Sequence, residues 1–186
     1  MTKFDLYDII YMQSREHNSQ KWKGKILMNK AIYFDMDGTL ADLCGTENWL
    51  DKLRAYDASP YAEAKVKLNM QALAHRLNRL QRHGYTIGVI SWLSKETTKE
   101  YDKEVIKAKT EWLAKHLGSV KFDEIHLVKF GKHKSKVAKV KNGILFDDNA
   151  KVRKEWIRHN PSGWAFAEKD ILAILDDLSN AYPSFT

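Results

Sequence analysis

Two short apolar runs far apart in the chain end in the same way, and that shared ending constrains the fold more than any other feature. Ala31-Ile32-Tyr33-Phe34 stops at Asp35, and after Met36 come Asp37, Gly38 and Thr39, the chemistry of a turn. Gly143-Ile144-Leu145-Phe146 stops at Asp147-Asp148. Runs of this length and composition read as buried strands. Adjacent carboxylates repel one another and resist burial, so a strand has no packing reason to end in them. A divalent cation removes that penalty. Two acids at i and i+2 on a strand end can share one metal ion and one substrate, one acting as nucleophile and the other as proton donor. Gly38 lets the backbone fold tightly beside them.

Between these runs strands and helices alternate. Residues 85–91, YTIGVIS, read as a buried strand ending in a hydroxyl, 125–130 as a third strand and 163–167 as a fifth. Ser59 reads as an N-cap with Pro60 at the first helical position, and Met70, Leu73, Leu77 and Leu80 follow at steps of three and four until Gly84, which predicts one helix. Residues 95–117 form a charge-dense helix whose apolar face is Val105, Ala108, Trp112 with Ile106, Leu113 and Leu117, and whose Lys/Glu alternation reads as a solvated exterior. Residues 149–159 form another, with Val152, Trp156 and Ile157 inside. The last runs from about 168 to 181 with Ile171, Leu172, Leu175 and Leu178 buried. This order implies an α/β fold with three layers and a parallel sheet of about five strands, Rossmann-like, with ligands outside the carboxyl ends of the strands. A modest helical insertion is expected at about 42–83, with Trp49, Leu50, Leu53 and Tyr56 at helical spacing.

Asp35-Met36-Asp37-Gly38-Thr39-Leu40 resembles the first motif of the haloacid dehalogenase (HAD) superfamily, most of whose members are magnesium-dependent phosphatases using an aspartyl-phosphate intermediate. The resemblance extends over about residues 28–180. It implies that Asp35 is the nucleophile and Asp37 the acid and base, with Gly38, Thr39, the second-motif Ser91 and the rim residue Trp92 meeting the phosphate or the leaving group. By the same resemblance the insertion at about 42–83 would be a small cap, and Trp49 and Tyr56 would either line the substrate cavity or form the cap's own core. The third motif is a lysine near a helix start. Lys134 fits best, because the Gly131-Lys132-His133-Lys134 spacing resembles that of small HAD-like proteins, while Lys132 and Lys136 stay open as rivals. Asp147-Asp148 would be the fourth motif. Mg²⁺, which prefers hard oxygen ligands, would then be held by Asp35, the Asp37 carbonyl and one of the pair, with Asp148 the direct ligand and Asp147 behind it. The Asp-Asp motif and small helical insertion look like those of the 5'(3')-deoxyribonucleotidase branch, so nucleoside monophosphates lead as substrates. The chain departs from that branch at Ser91-Trp92-Leu93, where Thr-Ser-Pro is usual, and in its shorter cap.

At 186 residues, 44% apolar with six tryptophans, the chain fits one core domain at 28–186 preceded by an extension at 1–27. Its net charge of +7 draws in phosphate-bearing ligands. Lys21-Trp22-Lys23-Gly24-Lys25 places basic groups around an aromatic, which suits nucleic acid and makes a phosphatase of 3'-phosphorylated ends the alternative. A second alternative is a non-catalytic HAD-fold binding protein, against which the intact acids argue. Cys44 is the one cysteine, so an internal disulfide and a multi-cysteine zinc site are excluded. The histidines are scattered without ligand spacing, with His133 alone near the presumed site. No run of roughly 18 apolar residues and no secretory leader are apparent, so a cytoplasmic protein with no membrane partner is expected.

Overall fold

A computed structural model describes residues 30–180; the extension expected at 1–27, with its Lys21-Trp22-Lys23 stretch, lies outside the described residues. Along the chain the strands are β1 (Ala31–Phe34), β2 (Ala41–Asp42), β3 (Lys65–Val66), β4 (Thr86–Trp92), β5 (Glu124–Val128), β6 (Ile144–Phe146) and β7 (Trp164–Phe166). The α-helices are α1 (Trp49–Arg54), α2 (Ser59–Glu63), α3 (Met70–Arg82), α4 (Lys99–Leu117), α5 (Lys134–Val137), α6 (Ala150–His159) and α7 (Ile171–Asn180). Five of the strands form one sheet in the order β5-β4-β1-β6-β7, with every pair parallel. The α/β architecture expected from the alternation is the one observed.

β1 is apolar without alternation because helices cover both sides of it. Ile32 and Phe34 face α3, α7 and the carboxyl-terminal half of α4 through Leu73, Leu77, Ile174, Leu175 and Trp112. Tyr33 faces the other way onto Val152 and Trp156 of α6, with the Tyr33 and Trp156 rings 5.6 Å apart. Phe34 pairs in register with Val89 and Phe146, and the Phe34 and Phe146 rings stack at 5.2 Å. The ends of β1 and β6 therefore lie level, tied by Asp35 N–H donating to Phe146 O at 2.9 Å. From β1 the chain moves toward β4, and from β6 toward β7 on the opposite side, so a crevice opens between their carboxyl ends.

The single helix expected over 59–83 is two helices. After Glu63 the chain turns at Ala64, and Lys65–Val66 pairs antiparallel with Ala41–Asp42. Asn69 then starts α3, its side chain accepting from Ala72 N–H at 2.9 Å. Ser59 is not the cap of the shorter helix; it sits inside it and donates its N–H and hydroxyl to Asp57 at 2.8 and 3.0 Å. α3 belongs to the main core, so the segment that overhangs the crevice is 43–63. Tyr61, Ala58 and Leu43 of that segment pack on Tyr101, Val105 and Ala108 of α4. Ile106 and Ile157, expected inside, are exposed on the outer sides of α4 and α6. α4 begins only at Lys99, where Thr98 caps it by accepting from Tyr101 N–H at 3.1 Å. None of the described helices is long and apolar enough to cross a membrane.

Candidate active site

Asp35 leaves β1 and Asp147 and Asp148 leave β6, so the register that levels those strands also gathers the acids. Ligand oxygens of Asp35, Asp147 and Asp148 all lie within 4.8 Å of one another. Lys134 reaches this group from the start of α5. It is 1% exposed, with Nζ 2.8 Å from Asp35 Oδ1 and 2.6 Å from Asp147 Oδ2. Lys132 and Lys136 are exposed, so Lys134 is the lysine of the three that the fold brings to the acids. Asp147 is buried and also accepts from Asn149 N–H at 2.9 Å, whereas Asp148 is exposed toward the crevice.

The turn after β1 seats Asp148. Gly38 has φ +79°, and a Cβ there would stand 2.5 Å from Asp148 Oδ2. Thr39, fully buried, accepts from Asp148 N–H through Oγ1 at 3.0 Å. The amides of Gly38 and Thr39 donate within the turn, to Ala41 O at 2.8 Å and Met36 O at 3.1 Å. Neither is free to meet a phosphate; both residues support the acid opposite them.

A second lysine escaped the sequence reading. Lys109 of α4 was counted into a solvated exterior, yet it is 0% exposed and its Nζ donates to Asp37 Oδ2 at 2.5 Å, Ser91 Oγ at 2.9 Å and Trp92 O at 2.7 Å. The cue was its position. Lys109 lies four residues after Val105 and four before Leu113, in the middle of the apolar stripe. Ser91 is fully buried beneath the floor and forms no part of the cavity wall, whereas Ser94 does.

Burial pushes the Asp147 carboxyl up to about 6 against the pull of Lys134, with Asp35 adding to the rise. Burial likewise raises Asp37 despite Lys109, and raises Asp148 with help from the Asp35 charge. Burial works against the charge on Lys134, but Asp35 and Asp147 outweigh it and hold this ammonium above its ordinary value. Four carboxylates thus face two buried ammoniums, and with all of them ionised negative charge is in excess. The clustered donors are all carboxylate oxygens, a set that suits a hard divalent cation.

Above these groups opens a cavity of about 460 Å³, a volume in the range of small-molecule sites. Asp35, Asp37, Lys134 and Asp148 form its floor, and its lining also includes Trp92 and Phe130 and, from the 43–63 segment, Trp49, Leu50 and Tyr61. Trp92 is fixed by Nε1–H donating to Lys132 O at 2.8 Å and by the Phe130 ring at 4.9 Å. Lys134 Nζ lies 5.3 Å from the centre of the Trp92 ring. Of the two cap aromatics singled out in the sequence, Trp49 lines the cavity and Tyr56 does not; Tyr56 instead meets the edge of Tyr101.

No protein-family model matches the sequence, and no curated protein matches it. Among solved structures, the chain is similar to the D,D-heptose 1,7-bisphosphate phosphatase from Burkholderia thailandensis, at 12% identity and a TM-score of 0.47, over 80% of this chain and 97% of that one.

Proposed function

We propose that the chain is a magnesium-dependent phosphomonoester hydrolase of the HAD type that works through an aspartyl phosphate on Asp35. The observation that carries this reading is the pairing of each of the two turn acids on the cavity floor with a different buried lysine, Asp35 with Lys134 and Asp37 with Lys109 beneath it. An acid meant only for a solvated turn needs neither partner.

In this reading an Asp35 oxygen attacks phosphorus while the bond to the leaving oxygen breaks, and Asp37 gives that oxygen its proton. Water then attacks the phosphoaspartate, Asp37 takes the proton back, and phosphate leaves with Asp35 restored. Lys134 holds Asp35 in line and keeps its charge beside the transferring phosphoryl group, where most of the acceleration in such transfers arises. Asp147 anchors Lys134. Asp35, Asp148 and the Asp37 carbonyl would hold Mg²⁺, which when bound neutralises charge on the phosphoryl oxygens. Ser91 stands behind Asp37, and its contact with the site runs through Lys109. The aromatic walls favour a small organic phosphate carrying a planar ring, so nucleoside monophosphates remain the leading substrate class.

The test is phosphate release from 4-nitrophenyl phosphate and a panel of nucleoside monophosphates, with Mg²⁺ and with a chelator. Turnover is expected only with the cation, and Asp35→Asn should abolish it. A panel untouched by the unaltered chain in Mg²⁺ would leave the binding-protein alternative in its place.

A further inference from the structure

Burying a lysine is costly unless every proton on it finds an acceptor. Lys109 meets that condition in full. Its ammonium has three N–H groups, and Asp37 Oδ2, Ser91 Oγ and Trp92 O accept one each, at 2.5, 2.9 and 2.7 Å. Nothing remains with which to touch a substrate, and the side chain forms no part of the cavity wall. The partners it holds come from the ends of two neighbouring strands, Asp37 after β1 and Ser91 with Trp92 on β4. The ring of Tyr61, from the segment that overhangs the cavity, covers the ammonium at 4.8 Å.

Asp37 lies on the floor of the cavity with Oδ2 committed to Lys109. With Oδ2 held by the buried ammonium, Oδ1 is the oxygen left for a reacting group in the cavity. Resting on the hydrolase reading above, we infer that Lys109 is a positioning residue for the acid-base step, orienting Asp37 so that Oδ1 carries the proton to and from the reacting oxygens. The proton on Oδ1 moves to the leaving oxygen as the P–O bond breaks, the Asp37 carboxylate stays paired with the Lys109 ammonium, and the attacking water returns a proton to Oδ1. Lys109 itself neither gains nor loses a proton. Ser91, able to accept from Lys109 but not to donate to it, sets the position of the ammonium from the β4 side.

The experiment compares two esters that differ in their need for a proton. 4-Nitrophenolate leaves readily without one, whereas phenolate leaves far better when protonated. Turnover of both esters by the unaltered chain, and its loss in Asp35→Asn, test the hydrolase reading independently of Lys109. Lys109→Met should lower kcat on phenyl phosphate about tenfold more than on 4-nitrophenyl phosphate, the same skew as in Asp37→Asn. The double variant should show no further skew beyond Asp37→Asn, because the lysine acts through that carboxyl. Lys109→Gln, which keeps a donor in place of the ammonium, is compared in the same assay and should show the skew in weaker form, so the inference does not hang on one variant folding. Equal losses on the two esters would reduce Lys109 to a packing residue, and undiminished activity would remove it from the site; either result overturns the inference.

Discussion

Gly38 and Gly131 adopt the same backbone conformation, φ +79°, in different surroundings. At Gly131 a Cβ would meet nothing within 4 Å, whereas at Gly38 it would stand 2.5 Å from Asp148 Oδ2. Alanine at either position should cost about 1–2 kcal/mol for entering the left-handed region, measured by urea unfolding. Only Gly38→Ala also pushes an acid of the site, so under the proposed hydrolase reading turnover should fall in that variant and survive in Gly131→Ala; equal activity in both would detach Gly38 from the chemistry. At this scale the sequence was legible where chemistry and local pattern coincide. Asp35, Asp37, Asp147 and Asp148 stand at the ends of apolar runs, and Lys134 follows a turn glycine. Lys109 was hidden because α4 is rich in lysines and its neighbours Lys107 and Lys115 are ordinary surface groups. Its place on the apolar stripe carries the information that its charge conceals.

The break between α2 and α3 shows how a good local signal loses to tertiary pairing. Ser59-Pro60 has the look of a helix start, and the leucines from Leu73 onward keep helical spacing, so one continuous helix satisfies the local pattern. Instead the chain between them is drawn out by pairing Lys65–Val66 with Ala41–Asp42, and the helix restarts under Asn69. Trp112 fastens the break by donating Nε1–H to Ala64 O at 2.7 Å. No pattern within 59–84 announces either partner, since both lie elsewhere in the chain. The two arrangements predict opposite signs for Asn69→Ala. As an N-cap, Asn69 should lose about 1 kcal/mol of stability on substitution, whereas in the middle of a helix alanine would be the better former and stability would rise. Thermal unfolding of Asn69→Ala decides between them, and the proposed hydrolase activity should be unchanged because α3 packs in the main core away from the cavity.

Across the whole molecule, the parallel sheet was readable because its strands are buried on both faces and so appear as unbroken apolar runs, while the helices between them leave no other economical topology. What the sheet then does is bring like charges together from opposite ends of the chain. Asp35 closes β1 and Asp148 closes β6, and burial together with the Asp35 charge raises the cost of ionising Asp148. If the proposed cation binds there, it offsets the excess of negative charge, which would link stability to metal binding. Mg²⁺ at about a hundred times its dissociation constant should add about 2.7 kcal/mol to unfolding, seen as a rise in melting temperature with added cation. Asp148 is exposed and its backbone N–H, not its side chain, bonds Thr39, so Asp148→Asn removes charge without opening a core. The variant should melt higher than the unaltered chain in a chelator, because a repulsion is gone, and should show little of the rise with Mg²⁺, because a ligand is gone. Activity should fall although stability without metal improves, the trade expected where function demands an unfavourable arrangement. A Mg²⁺ shift of equal size in Asp148→Asn and the unaltered chain would mean that the cation acts elsewhere, and the acids of β1 and β6 would lose their common purpose.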